Sequence, residues 1–350
     1  MVTLFCLKRL KKHFIIPLKF KMKQILNYLF ENKSFSKEQA REILTNISMG
    51  KYNNSQITAF MIAYCMRNIT VNELEGFRDA MLDLCLPVDM GGMEMIDLCG
   101  TGGDGKDTFN ISTLASFIVA GAGYKVAKHG NYGVSSGCGS SNVMEYLGYT
   151  FTNDIDTLKR NAERANICFL HAPLFHPAMK TVAPIRRELG VKTFFNMLGP
   201  MVNPARPKNQ LVGVYNLELA RMYAYLYQRS DRKYTILNAI DGYDEVSLTC
   251  DFKTFSAEGE EIFSPEGLGF TRLDPAQIAG GTDVPASAKI FTSILNGEGT
   301  DAQNSVVLVN AALAIKTIKP LSNFGDCFYE AEESLMQSKA LKSFKTLLSN

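Results

Sequence analysis

Four glycines fall within six consecutive positions, Gly100-Thr101-Gly102-Gly103-Asp104-Gly105, a density that suits anion binding. Glycines let backbone amides approach phosphate oxygens closely, and a helix that begins beyond the loop adds a favourable dipole. Asn110, Ser112 and Thr113 follow on the next turn and offer side-chain donors or a hydroxyl for a metal ion. The loop therefore predicts a site for a phosphorylated ligand, with a tight turn capped by hydroxyls as the structural alternative.

Two nucleotide-binding motifs partly match this loop, and each lacks one element. The spaced glycines satisfy the G-x-G-x-x-G pattern of dinucleotide sites, which also needs an acidic residue about 20 positions later to hold a ribose. The sequence there is Tyr124-Lys125-Val126-Ala127-Lys128, which offers cations instead. Residues 100–106 also fit the P-loop pattern G-x-x-x-x-G-K, but Asp107 stands where a magnesium-binding hydroxyl is required. Phosphate binding by backbone amides remains the favoured interpretation.

The overall composition gives no bias toward a polyanionic partner. Of the 350 residues, 46% are hydrophobic and 21% are charged, and the formal net charge is +2. Anion binding must therefore depend on local loops and single cations, and we expect no nucleic-acid partner. The eight cysteines form no C-x-x-C pair, which argues against a zinc ribbon or thioredoxin motif and favours a reduced, cytoplasmic location.

The chain begins with a basic stretch, in which seven lysines and arginines precede the first acidic residue, Glu31. Cations at 8–12 interrupt any apolar run, so no secretory signal is predicted, and no stretch reaches the roughly 20 apolar residues of a membrane helix. We expect residues 1–21 to be a disordered extension and expect no membrane partner. A segment lying on a membrane surface is the alternative.

Helical signals dominate the first part of the chain. From Met22 to about Pro87 the apolar residues recur at helical spacing, and three runs are preceded by polar residues that can cap a helix. These capping residues are Ser36, Asn53 and Asn72. The pattern predicts a small helical domain over residues 22–90.

From Met95 onward, short apolar runs alternate with loops and helical stretches, which is typical of a parallel sheet with crossover helices. The predicted strands are 95–99, 124–127, 167–170, 211–214 and 235–238, and the predicted helices are 112–122, 143–147, 156–165 and 217–229. The fold class is therefore α/β, with the small helical domain followed by a large domain, 91–350, whose mainly parallel central sheet is flanked by helices. Ligands of such sheets bind at the carboxyl ends of the strands.

Two adjacent carboxylates, Asp244 and Glu245, follow the last of these predicted strands. Oxygen ligands of this kind suit a magnesium ion that keeps part of its water shell, and a solvated turn is the alternative. Lys128 follows the second predicted strand, beside the glycine loop, where its cation could reach a phosphate.

Several segments, taken in order, resemble one family, the anthranilate phosphoribosyltransferases of tryptophan biosynthesis. The resemblance runs from about Met22 to Ile315, and no single motif carries it. The segments are Gly100-Thr101-Gly102-Gly103-Asp104 with Asn110-Ile111-Ser112-Thr113, Lys128-His129-Gly130-Asn131, His176-Pro177-Ala178-Met179-Lys180, Pro184-Ile185-Arg186-Arg187, Phe195-Asn196-Met197-Leu198-Gly199-Pro200 and Asp241-Gly242-Tyr243-Asp244-Glu245.

The resemblance implies transfer of ribose 5-phosphate from phosphoribosyl pyrophosphate (PRPP) to the amine of anthranilate, with release of pyrophosphate and use of two magnesium ions. It also implies a homodimer formed through the helical domain, onto which helices near 176–205 pack back. Breaking the C1–O bond leaves positive charge on the sugar and negative charge on pyrophosphate, so cations, metals and amides are the useful groups. Since the amine of anthranilate is already a nucleophile, we assign no general base.

The resemblance also assigns residues to each ligand. Those implied for PRPP are Gly100, Thr101, Gly102, Gly103, Asp104, Thr108, Asn110, Ser112, Thr113, Lys128 and Ser140. Those implied for anthranilate are Gly100, His129, Asn131, Arg186 and Pro200. Those implied for magnesium are Ser112, Asp244 and Glu245. Lys128 and Arg186 are expected to act electrostatically, Arg186 by a forked pair of hydrogen bonds to the carboxylate of anthranilate.

Two positions depart from the family pattern. Tyr132 stands where the family commonly has arginine, and Asn142 stands where it commonly has aspartate. The loss of the guanidinium could weaken sugar binding, with Asn142 as a compensating change. Two rival functions share this architecture, a pyrimidine nucleoside phosphorylase and a non-catalytic nucleic-acid-binding protein.

Overall fold

The computed structural model describes residues 21–133 and 138–349. They form two compact units, one of residues 21–86 with His176–Val202 and one of Pro87–Phe175 with residues 203–349. The basic extension up to residue 20 lies outside the described residues. Within the described part of the chain, no helix has both the length and the apolar character needed to cross a membrane.

Fifteen α-helices are present in the described residues, together with several short 3-10 turns. They are α1 (Met22–Phe30), α2 (Lys37–Ser48), α3 (Asn54–Met66), α4 (Val71–Leu84), α5 (Ile111–Gly121), α6 (Ser140–Tyr146), α7 (Ile155–Arg164), α8 (Ala172–Phe175), α9 (Ala183–Leu189), α10 (Phe195–Leu198), α11 (Leu217–Tyr227), α12 (Val284–Leu295), α13 (Asp301–Ile318), α14 (Phe324–Met336) and α15 (Lys339–Leu348).

A single seven-stranded sheet organises the second unit, in the order β3-β2-β1-β4-β5-β6-β7. Its strands are β1 (Met95–Gly100), β2 (Lys125–Gly130), β3 (Ile167–His171), β4 (Asn209–Gly213), β5 (Lys233–Ala239), β6 (Phe252–Ser256) and β7 (Gly259–Phe263). The first five strands are parallel, and β6 and β7 extend the sheet antiparallel to β5. Together with the helical N-terminal part, this confirms the predicted fold class.

The strand order places β1 in the middle of the five parallel strands, with β2 on one side and β4 on the other. Chain connections diverge at such a point, and a crevice forms beyond the carboxyl ends of the two strands. The register pairs Gly100, the last residue of β1, with Gly213, the last residue of β4. The glycine loop therefore begins at the position where an open α/β sheet offers a ligand site.

In the helical unit, one buried carboxylate and one aromatic cluster hold the helices. Glu73 is fully buried and accepts hydrogen bonds from the Phe35 amide (3.1 Å), the Tyr64 hydroxyl (2.9 Å) and the guanidinium of Arg67. Phe194 stacks on Phe77, with ring centroids 4.6 Å apart. Residues 176–202 thus supply part of the core that the first four helices bury.

In the α/β unit, α5 is buried along almost its whole length because it lies between the sheet and other helices. α13 packs against α5 and carries a long apolar run from Val306 to Ile315. That run is interrupted by one buried polar residue, Asn310. The core therefore holds rigid the helix whose first turn follows the glycine loop.

Two details of the sequence-based prediction were wrong. Asn72 does not begin a helix: α4 begins at Val71, because the Thr70 hydroxyl accepts from the Glu73 amide while the Glu73 carboxylate accepts from the Thr70 amide. Lys128 does not follow β2 but lies inside it, since pairing with β3 continues as far as Gly130 opposite His171. The antiparallel strands β6 and β7 had not been predicted.

Candidate active site

The glycine loop leaves β1 in backbone conformations that glycine adopts readily and that other residues rarely adopt. Gly102, Gly103 and Gly105 all have positive φ angles, between 66° and 76°. The Thr101 amide donates to the carbonyl of Gly213 (3.0 Å), which continues the β1–β4 pairing by one step. The first residue of the loop is therefore hydrogen-bonded to the end of β4.

Asp244 lies directly on the paired glycines at the ends of β1 and β4. A Cβ atom on Gly100 would lie 2.2 Å from Oδ2 of Asp244. A Cβ atom on Gly213 would lie 1.4 Å from the backbone carbonyl oxygen of Asp244. The Gly102 amide donates to Oδ2 of Asp244 at 2.6 Å. The glycine loop and the acidic turn thus form one structure, in which the amide of Gly102 positions a carboxylate.

Gly213→Ala is therefore expected to destabilise the protein by about 3 kcal/mol or more, because the methyl group would collide with the Asp244 backbone rather than with a flexible side chain. Urea unfolding measures this loss. Gly199→Ala is the matched control, since a Cβ atom there meets nothing within 4 Å. Equal stability of the two variants would contradict the close approach described for Gly213.

Glu245 points to the first turn of α5. Its Oε1 accepts from the Ser112 amide at 3.1 Å, whereas Oε2 is buried and has no hydrogen-bond partner among the described residues. Two hydrogen bonds fix the next residue, because Val246 donates to and accepts from the side-chain amide of Asn310 at 3.1 and 2.9 Å. Asn310 thereby fixes the backbone next to Glu245 and so helps to position the Glu245 carboxylate.

The two adjacent carboxylates are poorly compensated as the protein stands. Burial raises the pKa of Asp244, and Asp104 raises it further by repulsion. Burial likewise raises the pKa of Glu245, and the charge of Asp244 adds to that effect. Two buried, mutually repelling carboxylates with one unsatisfied oxygen are an arrangement that a bound cation would stabilise.

Lys128 brings a cation to the same edge of the sheet. Its side chain is 2% exposed, and Nζ donates to the carbonyl of Leu98 and to Oγ of Ser112 (3.3 Å). Burial raises the pKa of Asp97, whereas the charge of Lys128 opposes that shift. The lysine is therefore held by the buried Leu98 carbonyl of β1 and by the partly buried Ser112 hydroxyl of α5.

Asp97 also connects three segments around the site. Its carboxylate accepts from the backbone amide of His129 (3.1 Å) and from the side-chain amide of Asn203 (2.9 Å), which donates in addition to the carbonyl of Ala127 (2.8 Å). Asp97 is fully buried, although it lies in an otherwise apolar strand. It fixes the backbone that carries Lys128 and His129.

The remaining residues implied for PRPP lie around this centre in the same unit. Asn110 precedes α5 and donates to the carbonyl of Cys138 (3.3 Å), Thr113 is buried in the first turn, and Ser140 begins α6. Thr108 forms a bridge with Ala279, and Asp104 accepts from the Lys106 amide (3.1 Å). The structure thus brings the loop, Ser112, Lys128, Asp244 and Glu245 together.

Two residues implied for anthranilate belong to the helical unit instead. Arg186 lies on α9, donates to Oδ1 of Asn196 (3.2 Å) and places its guanidinium 5.4 Å from the ring centroid of Phe195. Burial lowers its pKa. Pro200 is buried in a 3-10 turn at Gly199–Val202. The other two residues implied for the acceptor, His129 and Asn131, lie at the end of β2 and just after it.

Reasoning from the sequence missed the residues that support the site. Asp97, Asn203 and Asn310 had no assigned role, although a charged residue within an apolar strand and a lone amide within an apolar helix are both detectable signals. Lys106 was also missed; its ammonium lies 4.6 Å from the ring centroid of Tyr243 and links the glycine loop to the acidic turn.

Family models match both parts of this architecture. The helical bundle domain of the glycosyl transferase family matches residues 23–85, and the a/b domain of the same family matches residues 92–341. The fold and the site thus define a two-domain glycosyl transferase.

Similar proteins narrow this class. The anthranilate phosphoribosyltransferases of Christiangramia forsetii and Flavobacterium psychrophilum are 59% and 60% identical to this chain over 326 residues, covering 93% of this chain and 98% of each relative. The chain belongs to the anthranilate phosphoribosyltransferase family.

Solved structures share this fold. The crystal structure of the Thermus thermophilus anthranilate phosphoribosyltransferase has a TM-score of 0.85 at 28% identity and covers 93% of this chain and 98% of that one. The Saccharomyces cerevisiae enzyme in complex with PRPP and Mg has a TM-score of 0.86 at 24% identity, covers 94% of this chain and 97% of that one, and shares the fold.

Proposed function

We propose that this protein transfers the phosphoribosyl group of PRPP to the amine of anthranilate, giving N-(5-phosphoribosyl)anthranilate and pyrophosphate in tryptophan biosynthesis. The observation that carries the proposal is the buried Asp244–Glu245 pair, held against the glycine loop by the Gly102 amide and the close approach at Gly213. Relatives of that activity, about 60% identical over nearly their whole length, support the choice of substrates.

Charge separation during the reaction explains the arrangement. As the C1–O bond of PRPP breaks, negative charge develops on pyrophosphate, and groups already oriented in a site of low polarity stabilise it most effectively. The Lys128 ammonium is fixed in advance, because it donates to the Leu98 carbonyl and to Ser112. The amides of Thr101 and Gly102 already donate to Gly213 and Asp244, so we propose that the other amides of the loop contact the pyrophosphate. Asn110, Thr113 and Ser140 are proposed to bind the phosphate of the sugar.

Magnesium fits the acidic turn, since Oε2 of Glu245 is buried and has no partner among the described residues. Asp244, Glu245 and the Ser112 hydroxyl would hold the metal, and we propose two ions. In residues 21–133 and 138–349, no three His, Cys, Asp or Glu side chains lie close enough to form a complete metal site. Waters and substrate oxygens would therefore complete the coordination, as magnesium prefers. When bound, the metal would neutralise charge on the diphosphate.

The direct test follows the loss of anthranilate fluorescence on addition of PRPP and magnesium. A steady decrease that depends on all three components is expected, with pyrophosphate formed in equal amount. Absence of any change at all magnesium concentrations would refute the proposal. Cleavage of thymidine by inorganic phosphate in the same preparation would instead indicate a pyrimidine nucleoside phosphorylase.

Arg186 is proposed to bind the carboxylate of anthranilate. Arg186→Ala is expected to raise the KM for anthranilate about 100-fold and the KM for PRPP less than about threefold, because a forked, charge-assisted pair of hydrogen bonds is lost from one substrate only. Steady-state kinetics with each substrate varied in turn measures the difference. Arg187→Ala, at the neighbouring exposed position, is the control. Equal increases in both KM values would refute this role.

We further propose a homodimer formed through the helical unit, which exposes the large apolar side chains of Phe30, Met49 and Met66. Sedimentation velocity, with Met66→Glu as a disrupting variant, tests it.

A reducing, cytoplasmic location is proposed because the seven cysteines among the described residues are all free thiols. The small net charge supports our expectation that nucleic acid is not a partner.

A further inference from the structure

The segment after β2 lies against the first turn of α6. The carbonyl of Asn131 accepts from the Ser141 amide (3.1 Å) and from the Ser140 hydroxyl (3.3 Å). A Cβ atom on Gly130 would lie 2.7 Å from Oγ of Ser140, so the backbone passes very near this side chain. Residues proposed to bind the two different substrates, Asn131 and Ser140, are thus in direct contact.

Asn142 joins the backbone on both sides of this contact. Its Oδ1 accepts from the amide of Gly139 at 3.0 Å and from the amide of Gly133 at 3.0 Å. The first bond is the one that a side chain at the third helical position commonly makes at a helix start. The second bond is not needed to begin a helix, and it ties the segment after β2 to α6.

Tyr132 holds the same segment to the same helix one turn further along. Its hydroxyl donates to Glu145 at 3.3 Å, and its ring meets that of His171 edge-on, with centroids 4.8 Å apart. The His171 ring stacks on Phe151 and its Nδ1 is 2.9 Å from the Ser141 hydroxyl. The Tyr132 ring therefore packs against the buried His171 ring.

The two departures from the family pattern thus meet at one face of α6, because Asn142 lies on that helix and Tyr132 contacts it through Glu145. Asn142 accepts from the Gly133 amide, and Glu145 accepts from the Tyr132 hydroxyl. These two acceptors are three positions apart and therefore lie side by side on the helix. We propose that Asn142 and Tyr132 are positioning residues, which hold His129–Asn131 against Ser140 so that the acceptor and the sugar phosphate bind in a fixed relation.

This inference rests on the proposed function, and it carries a specific chemical requirement. Both partners of Asn142 are N–H donors, so position 142 needs only an acceptor oxygen. A carboxylate meets that requirement and also suits the start of a helix, where negative charge is favourable. Asn142→Asp should therefore keep the contact, whereas Asn142→Ala should lose it.

The experiment measures amide hydrogen exchange at Gly133 and Gly139 and steady-state kinetics in three variants, Asn142→Ala, Asn142→Asp and Tyr146→Ala. Tyr146, exposed on the same helix, is the matched control. In Asn142→Ala we expect both amides to lose protection and the KM values for PRPP and anthranilate to rise about tenfold, with kcat changed less than about twofold. Asn142→Asp should restore both properties, and Tyr146→Ala should change neither.

Two results would overturn the inference. One is an Asn142→Ala enzyme with unchanged KM values and only a lower melting temperature, which would make Asn142 a helix cap and nothing more. The other is Asn142→Asp as impaired as Asn142→Ala. If Asn142→Ala fails to fold, Tyr132→Ala is measured in the same way, with the same KM increase expected. A wild-type protein without phosphoribosyl transfer would refute the proposed function, while the exchange data would still decide whether Asn142 ties the two segments.

Discussion

Glu245→Gln is expected to lower turnover by about 10³-fold, because it removes a charge that the proposed magnesium site requires. The same change should stabilise the metal-free protein at alkaline pH. Burial and the neighbouring Asp244 raise the folded-state pKa of Glu245 above its ordinary value of 4.5. For an acid shifted upward, the contribution to stability is complete below that ordinary value and is lost as pH rises through the folded-state pKa.

Thermal melts of the wild type and of Glu245→Gln at about pH 5.5 and pH 8.5, each with and without magnesium, measure this difference. The variant should gain most over the wild type at the higher pH without metal, and magnesium should stabilise the wild type more than the variant. Glu73→Gln is the matched control, since the carboxylate of Glu73 is also buried but is paired with Arg67. That change should destabilise the protein at both pH values. A Glu245→Gln protein that is less stable than the wild type at high pH would contradict the account.

Lys128→Met should combine a large loss of activity with a large loss of stability. Turnover is expected to fall by about 10²-fold to 10³-fold, because the cation that we propose to stabilise the departing pyrophosphate is removed. Stability should fall by about 1–3 kcal/mol, because the buried Leu98 carbonyl loses its donor and Asp97 remains buried without the opposing charge. The loss should grow with rising pH, since removal of the lysine raises the folded-state pKa of Asp97 further above its ordinary value of 3.8.

A second substitution separates these two effects. In Asp97→Asn/Lys128→Met the buried charge is gone, so urea unfolding should show much of the stability recovered while turnover stays low. Lys125→Met is the control, because Lys125 stands at the start of the same strand and its ammonium donates to the carbonyl of Ala162 (2.8 Å). Full recovery of turnover in the double variant would show that Lys128 acts only by neutralising Asp97.

The parts of the fold that follow from short-range patterns were predictable from the sequence. The capping box at Ser36 and Gln39, the buried strand from Met95 and the apolar run of α5 each depend on residues a few positions apart. The antiparallel pair β6 and β7 was missed because β7 is exposed and carries Glu260 and Glu261, so it lacks the apolar signal of the parallel strands.

The candidate site was predictable only where a motif carried it. The glycine loop and the adjacent carboxylates were recognisable, but the close approach of Asp244 to Gly213 joins residues that are distant in the sequence. The same holds for Asp97 with Asn203 and for Asn310 with Val246. These pairings depend on the order of the strands and on the packing of α13 against the sheet, and no local pattern in the sequence encodes either.

The helical unit is discontinuous in the chain, and this has a consequence during synthesis. Its core needs Phe194, which stacks on Phe77, but Pro87–Phe175 must be translated before that residue emerges. At a typical rate of about 5–20 residues per second, the first four helices wait for several seconds with an aromatic surface uncovered. The nascent chain is therefore expected to engage a ribosome-associated chaperone until residues 176–202 have been made.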